Sequence, residues 1–386
     1  MTPFDFRTTP AIAAGPGKTA GLGETFRALG ASRVALISDP GVLAAGLADG
    51  ATASLGAAGL GVFTWQDVKA DPPEADILAA VDAARAEGCN GVLGLGGGSP
   101  MDTAKLVALL LGTDQPLAEA YGVGNAKGAR VPLVLVPTTA GTGSEVTPIA
   151  IVTTGASEKK GVVAPQLLPD AAVLDATLTT GLPAPVTAAT GIDAMVHAIE
   201  AYTSRHRKNP LSDVLAREAL ALLGANIRKA VTTPEDVDAR GAMLLGSCLA
   251  GMAFANAPVA AVHALAYPLG GHFKVPHGLS NAMVLPHVLA FNRAEPAAEA
   301  AYAELAPILF PALGGHDKGL RVDGFIEELG ALGPGLGLDV TLSSVGVSHN
   351  HLPMLAEDAM KQERLLVNNP REMTPEAALE IYARAL

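Results

Sequence analysis

Two residues that can bind a metal ion lie four positions apart in an otherwise apolar stretch of the chain. Asp193 and His197 fall within residues 191–200, where most other residues are alanine, isoleucine, valine or methionine. The apolar pattern predicts a helix, on which side chains four residues apart rise from the same face. A carboxylate and an imidazole on a buried helix cost free energy unless they are paired or coordinated. The spacing therefore indicates either an ordinary Asp–His pair or two ligands of one ion.

Three further histidines that could complete such a site follow in residues 263–277. His263, His272 and His277 stand there among apolar residues, glycine and proline. Any two of them would give one carboxylate and three imidazoles, a donor set that holds divalent transition metals. The compact Cys/His spacings of structural zinc sites are absent, so the residues alone leave the choice among the three open.

Composition limits the classes of protein that this chain can belong to. Its 386 residues fit two domains, and 49% hydrophobic with only 17% charged residues leaves ample material for a core. A formal net charge of -12 argues against a nucleic-acid partner and against an anionic membrane surface. We therefore expect an enzyme that acts on a small molecule.

The cysteines and the N-terminal residues indicate the cellular compartment in which the protein is expected. Cys89 and Cys248 belong to no paired motif, and the first residues lack a basic segment followed by an apolar one. Apolar runs such as residues 106–111 are too short to cross a membrane. We therefore expect a cytoplasmic protein without a membrane partner.

The two halves of the chain differ in their predicted secondary structure. In the first half, strand-like runs alternate with alanine-rich helical segments, which is typical of βαβ units; strands are predicted at residues 33–38, 61–65, 91–95 and 131–136, and helices at 42–60 and 75–87. From residue 182 onward, long Ala/Leu/Glu segments predict helices almost exclusively. We therefore predict an α/β domain at residues 1–181 and an all-α domain at residues 182–386.

A glycine turn follows the predicted strand at residues 91–95. Gly97 and Gly98 let the backbone approach a ligand closely, and Ser99 is a natural N-cap with Asp102 three residues later, as in a capping box. A strand, a glycine turn and an exposed helix N-terminus form an anion site suited to a pyrophosphate. The alternative is an ordinary tight turn between strand and helix.

A hydroxyl-rich loop follows the next predicted strand, at residues 137–147. Its threonines offer donors to phosphate or carboxamide groups, and two such loops at strand ends are where open α/β sheets bind nucleotides. A Thr/Ser-rich turn without a ligand is the alternative. Asp39, at the end of another strand, could accept hydrogen bonds from a ribose.

Taken together, the stretches at residues 96–105, 137–147, 190–202 and 263–277 resemble the iron-containing (group III) alcohol dehydrogenases. The resemblance covers nearly the whole chain and extends to residues 369–372. It implies a dehydroquinate synthase-like fold of two domains, with an α/β N-terminal dinucleotide-binding domain and an all-α C-terminal metal-binding domain.

The resemblance also implies a set of functional residues. It selects Asp193, His197, His263 and His277 as ligands of Fe²⁺, in preference to His272, and Zn²⁺ is an alternative ion for such a set. The implied cofactor is NAD, and its predicted contacts are Asp39, Gly97, Gly98, Ser99, Asp102, Thr138, Thr139, Thr142, Thr147 and Lys160. Without the resemblance, Lys160 would be read as a solvated surface lysine.

The implied reaction is hydride transfer between the nicotinamide and a small alcohol or aldehyde bound to the metal in a cleft between the domains. We expect a homo-oligomer, with a dimer as its simplest form. Many members carry a histidine where this chain has Tyr267, which we expect to orient substrate or water. That departure keeps hydroxyacid–oxoacid transhydrogenase activity open, and glycerol or diol dehydrogenase activity is a further alternative.

Two rival classes remain at this stage. A dehydroquinate-synthase-like lyase would need additional Lys and Arg near the metal, whereas Phe254, Val262 and Leu265 suggest an apolar pocket. A non-catalytic binding protein would have no use for four candidate ligands and two cofactor loops.

Overall fold

The computed structural model describes residues 3–155 and 158–386, and the chain divides into two compact units. Residues 8–181 form an α/β unit, and residues 182–386 form a helical unit that also includes residues 3–7. We had expected the N-terminal residues to belong to the α/β part. Instead, the Arg7 N–H donates to Asn256 Oδ1 at 2.8 Å and the Arg7 carbonyl accepts from Asn256 Nδ2 at 2.8 Å, which ties this segment to the helical unit.

A parallel sheet is the centre of the α/β unit. Its six strands lie in the order β1-β9-β6-β4-β2-β3, and a second sheet has the order β5-β8-β7. The strands are β1 (Ala11–Ala14), β2 (Arg33–Ile37), β3 (Gly61–Trp65), β4 (Gly91–Gly96), β5 (Gly122–Val123), β6 (Leu133–Pro137), β7 (Ile149–Thr154), β8 (Glu158–Val163) and β9 (Ala171–Leu174). Strands β4 and β6 are buried along their whole length, as continuous apolar runs in a parallel sheet require.

Helices cover both faces of the large sheet. They are α1 (Leu22–Ala28), α2 (Pro40–Ala44), α3 (Asp49–Ala57), α4 (Glu74–Ala86), α5 (Gly98–Leu111) and α6 (Leu117–Ala120). Successive side chains of a strand point to opposite faces, so Ala35 and Ile37 join the core formed with α4 and α5, whereas Val34 and Leu36 join the core formed with α1 and α3.

The prediction of one continuous helix in this unit is wrong. The segment at residues 42–60 was predicted to be continuous, but it divides into α2 and α3. Gly46 between them has a φ of 69°, a left-handed conformation that ends a helical turn and that glycine adopts at little cost.

The helical unit consists of α7 (Ala184–Thr203), α8 (Pro210–Thr232), α9 (Val237–Asn256), α10 (Ala261–Phe273), α11 (His277–Asn292), α12 (Pro296–Leu309), α13 (Lys318–Gly335), α14 (Leu352–Met360), α15 (Glu363–Leu366) and α16 (Pro375–Ala385). Every residue from 191 to 203 on α7 is buried, and this helix packs against α8, α9 and α11. A helix that is enclosed on all sides forms the core of its unit.

Helix α9 is the one described helix that is long and apolar enough to cross a membrane, with a mean hydropathy of 1.2 over its most apolar window. In the structure, 56% of that window is buried inside the protein. Its contacts with α7 and α8 make it a core helix of the helical unit.

Candidate functional site

Asp193, His197, His263 and His277 converge in the helical unit. One ligand atom from each of them lies within 4.8 Å of the corresponding atoms of the others. Asp193 Oδ1 is 4.0 Å from His197 Nε2, 3.8 Å from His263 Nε2 and 3.6 Å from His277 Nε2. The structure therefore brings together the four residues that were predicted to share one ion.

Three helices supply these four side chains. The first pair stands one turn apart on α7, His263 lies in the first turn of α10, and His277 opens α11. Gly278 permits that approach, because a β-carbon there would stand 2.3 Å from the Ala189 carbonyl oxygen on α7. The glycine after His277 thus lets the start of α11 touch the backbone of α7.

The burial of the four side chains is uneven. Those of Asp193, His197 and His263 are 3%, 6% and 3% exposed, whereas that of His277 is 42% exposed. A metal ion in this cluster would be enclosed by protein on most sides and reachable from the side of His277. Such an open position is what distinguishes a catalytic metal site from a structural one.

Asn281 was not predicted and lies in the middle of the cluster. Its Nδ2 donates to Asp193 Oδ1 at 2.6 Å and lies 3.3 Å from His263 Nε2 and 3.4 Å from His277 Nε2, while its Oδ1 is buried without a partner. Three acceptors thus face one amide group that has only two protons to give. Asn281 could have been identified from the sequence because it lies four residues after His277, on the same helical face.

The donor set fits a divalent ion. Ligands about 2.1 Å from a tetrahedral ion stand about 3.4 Å from one another. The separations from Asp193 Oδ1 are 3.6–4.0 Å and all four ligand atoms lie within 4.8 Å of one another, so the cluster would contract around one ion. Burial alone would raise the pKa of Asp193, but the three histidines and Asn281 lower it below its usual value. A carboxylate is thus maintained for a cation.

Glu200 is a second residue that the sequence analysis missed. It is 4% exposed and lies 2.6 Å from His263 Nδ1 through Oε2, while Oε1 accepts from the Val262 N–H at 2.7 Å. Asp193, His197 and Glu200 follow one another at helical spacing on α7, which is the signal that could have revealed it.

A row of rings runs through the cluster. Phe254 stacks on His197 with centroids 4.3 Å apart, His197 on His263 at 4.7 Å, and His263 contacts His277 at 5.3 Å. The ring of Tyr267 lies 5.9 Å from that of His277, at the more exposed end of the row. Tyr267 therefore lies beside the open side of the cluster.

Other residues singled out from the sequence lie elsewhere. His272 is on the surface side of α10 and bonds to Asp358, outside the cluster. Phe254 stacks on His197, whereas Val262 and Leu265, at 1% and 0% exposed, are buried in the core of the helical unit.

The carboxyl ends of three adjacent strands form the second candidate site, in the α/β unit. Strands β2, β4 and β6 are parallel neighbours, and Asp39, Gly97 and Thr138 lie within two residues of their carboxyl ends. The chain leaves β2 for β3 on one side and returns to β4 on the other, which makes this edge a topological switch point. Such points are where open parallel sheets bind ligands.

The glycine turn faces the threonine loop directly. A β-carbon at Gly97 would stand 3.6 Å from the Thr139 side chain, and one at Gly98 would stand 3.0 Å from Thr142 Cγ2. The lack of side chains at these glycines leaves the backbone at the start of α5 open toward the two threonines. The two predicted cofactor loops therefore form one cradle.

The predicted N-cap at Ser99 is wrong. Helix α5 begins at Gly98 with Gly97 as its N-cap, and no N-cap side chain accepts a hydrogen bond there. The turn closes earlier than expected because Gly96, with a φ of 150°, already bends the chain. The amides of the first turn thus have no cap from an N-cap side chain, as an anion site requires.

Asp102 and Thr147 are engaged within the protein. Asp102 accepts from the Ser144 Oγ at 2.6 Å and the Ile151 N–H at 2.9 Å rather than closing a capping box. Thr147 Oγ1 accepts from the buried Lys105 ammonium at 3.1 Å. These bonds fasten the threonine loop and β7 to α5, and a direct cofactor contact by either residue stays a prediction.

Lys160 lies on β8 of the small sheet. Its ammonium is 3.5 Å from Glu158 and 5.8 Å from the centre of the Tyr121 ring, and its side chain is 43% exposed. Its expected reach toward the nicotinamide stays a prediction.

Family models match both units of the chain. Residues 9–176 match the model described as "Iron-containing alcohol dehydrogenase", and residues 187–386 match "Fe-containing alcohol dehydrogenase family, C-terminal". The chain belongs to the iron-containing alcohol dehydrogenase family. This family consists of oxidoreductases, and its members share the fold of an α/β unit followed by a helical unit.

Individual members of the iron-containing alcohol dehydrogenase family are similar to this chain over all or nearly all of its length. The long-chain-alcohol dehydrogenase 1 of Geobacillus thermodenitrificans is 41% identical over 367 residues, covering 92% of this chain and 90% of that protein. A crystal structure of 1,3-propanediol oxidoreductase superposes with a TM-score of 0.96 and 32% identity over 100% of both chains. The crystal structure of a sulfoacetaldehyde reductase from Bifidobacterium kashiwanohense in complex with NAD⁺ superposes with a TM-score of 0.88 and 26% identity, covering 100% of this chain and 99% of that one.

Proposed function

We propose that this member of the family is an NAD-dependent alcohol dehydrogenase that interconverts a small alcohol and its aldehyde at a divalent metal. The observation that carries the proposal is the convergence of Asp193 and three histidines, with one ligand atom each within 4.8 Å. An ion held there supplies a Lewis-acid charge beside the substrate oxygen, and NAD supplies the hydride acceptor.

Fe²⁺ is the proposed ion. Imidazole and carboxylate ligands suit both Fe²⁺ and Zn²⁺, so the donor set does not separate them. The names of the family and of its matching models support iron. Asp193, His197 and His263 would enclose the ion, and His277 would bind it at the exposed side of the cluster.

The cradle in the α/β unit is proposed to hold NAD. The open amides at the start of α5 would take the pyrophosphate, and Thr138, Thr139 and Thr142 would offer hydroxyls beside it. Asp39 would accept from the adenosine ribose. The NAD⁺ complex of the sulfoacetaldehyde reductase supports the choice of a nicotinamide dinucleotide.

The substrate proposed is a small alcohol, with a diol or glycerol as the alternative. Relatives are named for alcohols and for 1,3-propanediol, which supports this class. Tyr267 is proposed to orient the substrate or a water molecule, since its ring lies at the open side of the cluster. A homo-oligomeric state and a cytoplasmic location stay predictions; Cys89 and Cys248 are free and buried, as a reducing compartment allows.

The test is a pair of histidine variants under anaerobic conditions. Metal-free protein is reconstituted with Fe²⁺ or Zn²⁺ and assayed for NADH formation with alcohols, diols and hydroxyacids. The His277→Ala variant should lose metal and turnover, whereas His272→Ala, a histidine of the same segment outside the cluster, should retain both. Formation of aldehyde or oxoacid without NADH, dependent on an added oxoacid, would instead indicate transhydrogenation.

A further inference from the structure

We infer that Glu200 is a positioning residue that fixes the ring and the proton of His263, so that the Nε2 lone pair faces the metal. The inference rests on the proposed metal site and goes beyond its four ligands. Glu200 would act through His263 and would not itself touch the ion.

Glu200 is placed for this task by α7. It lies seven residues after Asp193 and three after His197, so all three carboxylate and imidazole groups share one face of the helix. The residue is only 4% exposed, and a buried carboxylate costs free energy unless both oxygens find partners. Its Oε1 and Oε2 are engaged, at 2.7 Å by the Val262 N–H and at 2.6 Å by His263 Nδ1.

Both partners of Glu200 lie in the first turn of α10. The N-cap of that helix is Ala260, whose side chain cannot cap, so the Val262 N–H would otherwise be one of the unpaired donors of a helix start. Glu200 provides the cap from α7 and places its charge at the positive end of α10. One carboxylate therefore fixes both the helix start and the histidine next to it.

The neighbours of His263 agree on where its proton lies. Glu200 Oε2 can only accept at Nδ1, whereas the Asn281 amide group, 3.3 Å from Nε2, donates. Neutral imidazole carries one proton, so these contacts place it on Nδ1 and leave Nε2 as a lone pair directed at the cluster. Together the carboxylates of Glu200 and Asp193 match the charge of one divalent ion.

If Glu200 only capped α10, Glu200→Gln would bind metal as tightly as the parent. The positioning role instead predicts weaker metal binding in this variant. Glutamine has one acceptor oxygen, so its amide group must face either Val262 or His263. The Val262 N–H is always a donor, whereas imidazole can change its tautomer. The arrangement of lower free energy therefore keeps the cap and moves the His263 proton to Nε2. The cap then survives while the metal ligand is blocked.

The experiment compares the parent protein with Glu200→Gln and with Glu304→Gln as a matched control. Glu304 is exposed and accepts from the Tyr202 hydroxyl at 2.5 Å, so this variant also removes a carboxylate bonded to α7 but leaves His263 untouched. Selective ¹⁵N-histidine NMR on metal-free protein reads the tautomer of His263, identified by loss of its signals in His263→Gln. Titration with Co²⁺ alone, followed by its visible absorption, gives the metal dissociation constant.

The parent and Glu304→Gln should show the Nδ1–H tautomer of His263 and equal Co²⁺ affinity. Glu200→Gln should show Nε2–H and a Co²⁺ dissociation constant raised about 10- to 100-fold, with a metal-free melting temperature close to that of the parent. An Nε2–H tautomer in the parent, or unchanged affinity in Glu200→Gln, would overturn the inference. If the parent binds no Co²⁺, the proposed metal function fails, while the tautomer of the parent still decides the role of Glu200.

Discussion

Asp39 combines two tasks that substitutions can separate. Its Oδ1 accepts from the Val42 N–H at 2.9 Å and caps α2, while Oδ2 lies 3.5 Å from where a β-carbon at Gly96 would stand. The first task stabilises a helix, and the second places a negative charge at the switch point of the sheet. A 2′-phosphate beside that charge would be repelled, so the proposed cofactor is NAD rather than NADP.

Asp39→Asn should keep the cap and remove the charge, because asparagine caps about as well as aspartate. We expect the ratio of kcat/KM for NAD over NADP to fall roughly tenfold, which corresponds to about 1.4 kcal/mol, without loss of thermal stability. Asp39→Ala should relax the preference similarly and also lose about 1 kcal/mol of stability with its cap. Equal kcat/KM for the two cofactors in the parent would contradict the assignment of Asp39.

Tyr267 lies beside the open side of the metal cluster. Its ring lies 5.9 Å from His277, so its predicted role is to orient substrate or water. Tyr267→Phe removes only the hydroxyl, and the loss of about one hydrogen bond of about 1 kcal/mol should lower kcat for alcohol oxidation several-fold. NAD affinity should be preserved, as measured by NADH fluorescence titration. Parent-like kcat and kcat/KM from about pH 6 to about pH 10 would instead make this tyrosine a packing residue.

At the level of the elements, one buried lysine holds the threonine loop in place. The Lys105 ammonium on α5 donates to Ser144 Oγ at 2.7 Å, Thr147 Oγ1 at 3.1 Å and the Ile149 carbonyl at 2.7 Å. All three of its protons are therefore used to hold the segment that follows β6. Burial lowers the pKa of Lys105 to about 8, against the opposing charges of Asp102 and Glu145.

Glu145 beside this lysine is also fully buried. Burial raises its pKa from 4.5 to about 7, although its own backbone amide and the Lys105 charge oppose the shift. The folded protein then retains a proton that the unfolded chain releases above its ordinary pKa. The contribution of Glu145 to stability is therefore full below about pH 4.5 and is lost as the pH rises to about 7.

The prediction is a pH-dependent difference between the parent and Glu145→Gln. The variant cannot ionise, so its stability relative to the parent should rise between about pH 5 and about pH 7 and then level off. Urea unfolding of the metal-free parent and variant across this range gives the difference between their free energies of unfolding. Titration of the histidine cluster affects both proteins equally and cancels from this difference. Glu119→Gln, at an exposed glutamate paired with Lys127, serves as the control and should give a flat curve. A flat curve for Glu145→Gln as well would show that Glu145 is ionised throughout.

The sequence predicted those elements in which local pattern and tertiary environment agree. Strands β2, β3, β4 and β6 and helix α4 follow from their apolar periods. The small sheet and the strands β1 and β9 were not predicted. Strand β7 has a strong strand preference and was overlooked, whereas β1 and β9 are at least half alanine and β8 begins with Glu158 and two lysines. Pairing with neighbouring strands stabilises these segments despite their low intrinsic preference, and such pairing is not visible in a single segment.

At the scale of the whole molecule, each candidate site lies within one unit. The metal cluster is formed entirely by α7, α10 and α11 of the helical unit, and the cradle by the ends of β2, β4 and β6 in the α/β unit. Removal of metal should therefore abolish turnover while NADH binding to the α/β unit persists.

The composition of the metal cluster could be predicted only in part. The Asp193–His197 pair follows from helical spacing, because both residues share one face of one helix. The partners from α10 and α11 required the family resemblance, since periodicity does not tell which distant histidine packs against α7. Asn281 and Glu200 were missed because neither belongs to a ligand pattern, although each lies at helical spacing from a ligand.

The proposed metal site is tested most directly by a titration of metal-free protein with Fe²⁺ under anaerobic conditions, with initial rates of NADH formation from a primary alcohol. We expect the parent and His272→Ala to gain activity in proportion to bound iron up to one ion per chain, whereas His277→Ala should neither retain iron nor turn over. Full turnover by metal-free parent, or parent-like iron content and rate in His277→Ala, would contradict the proposed metal site.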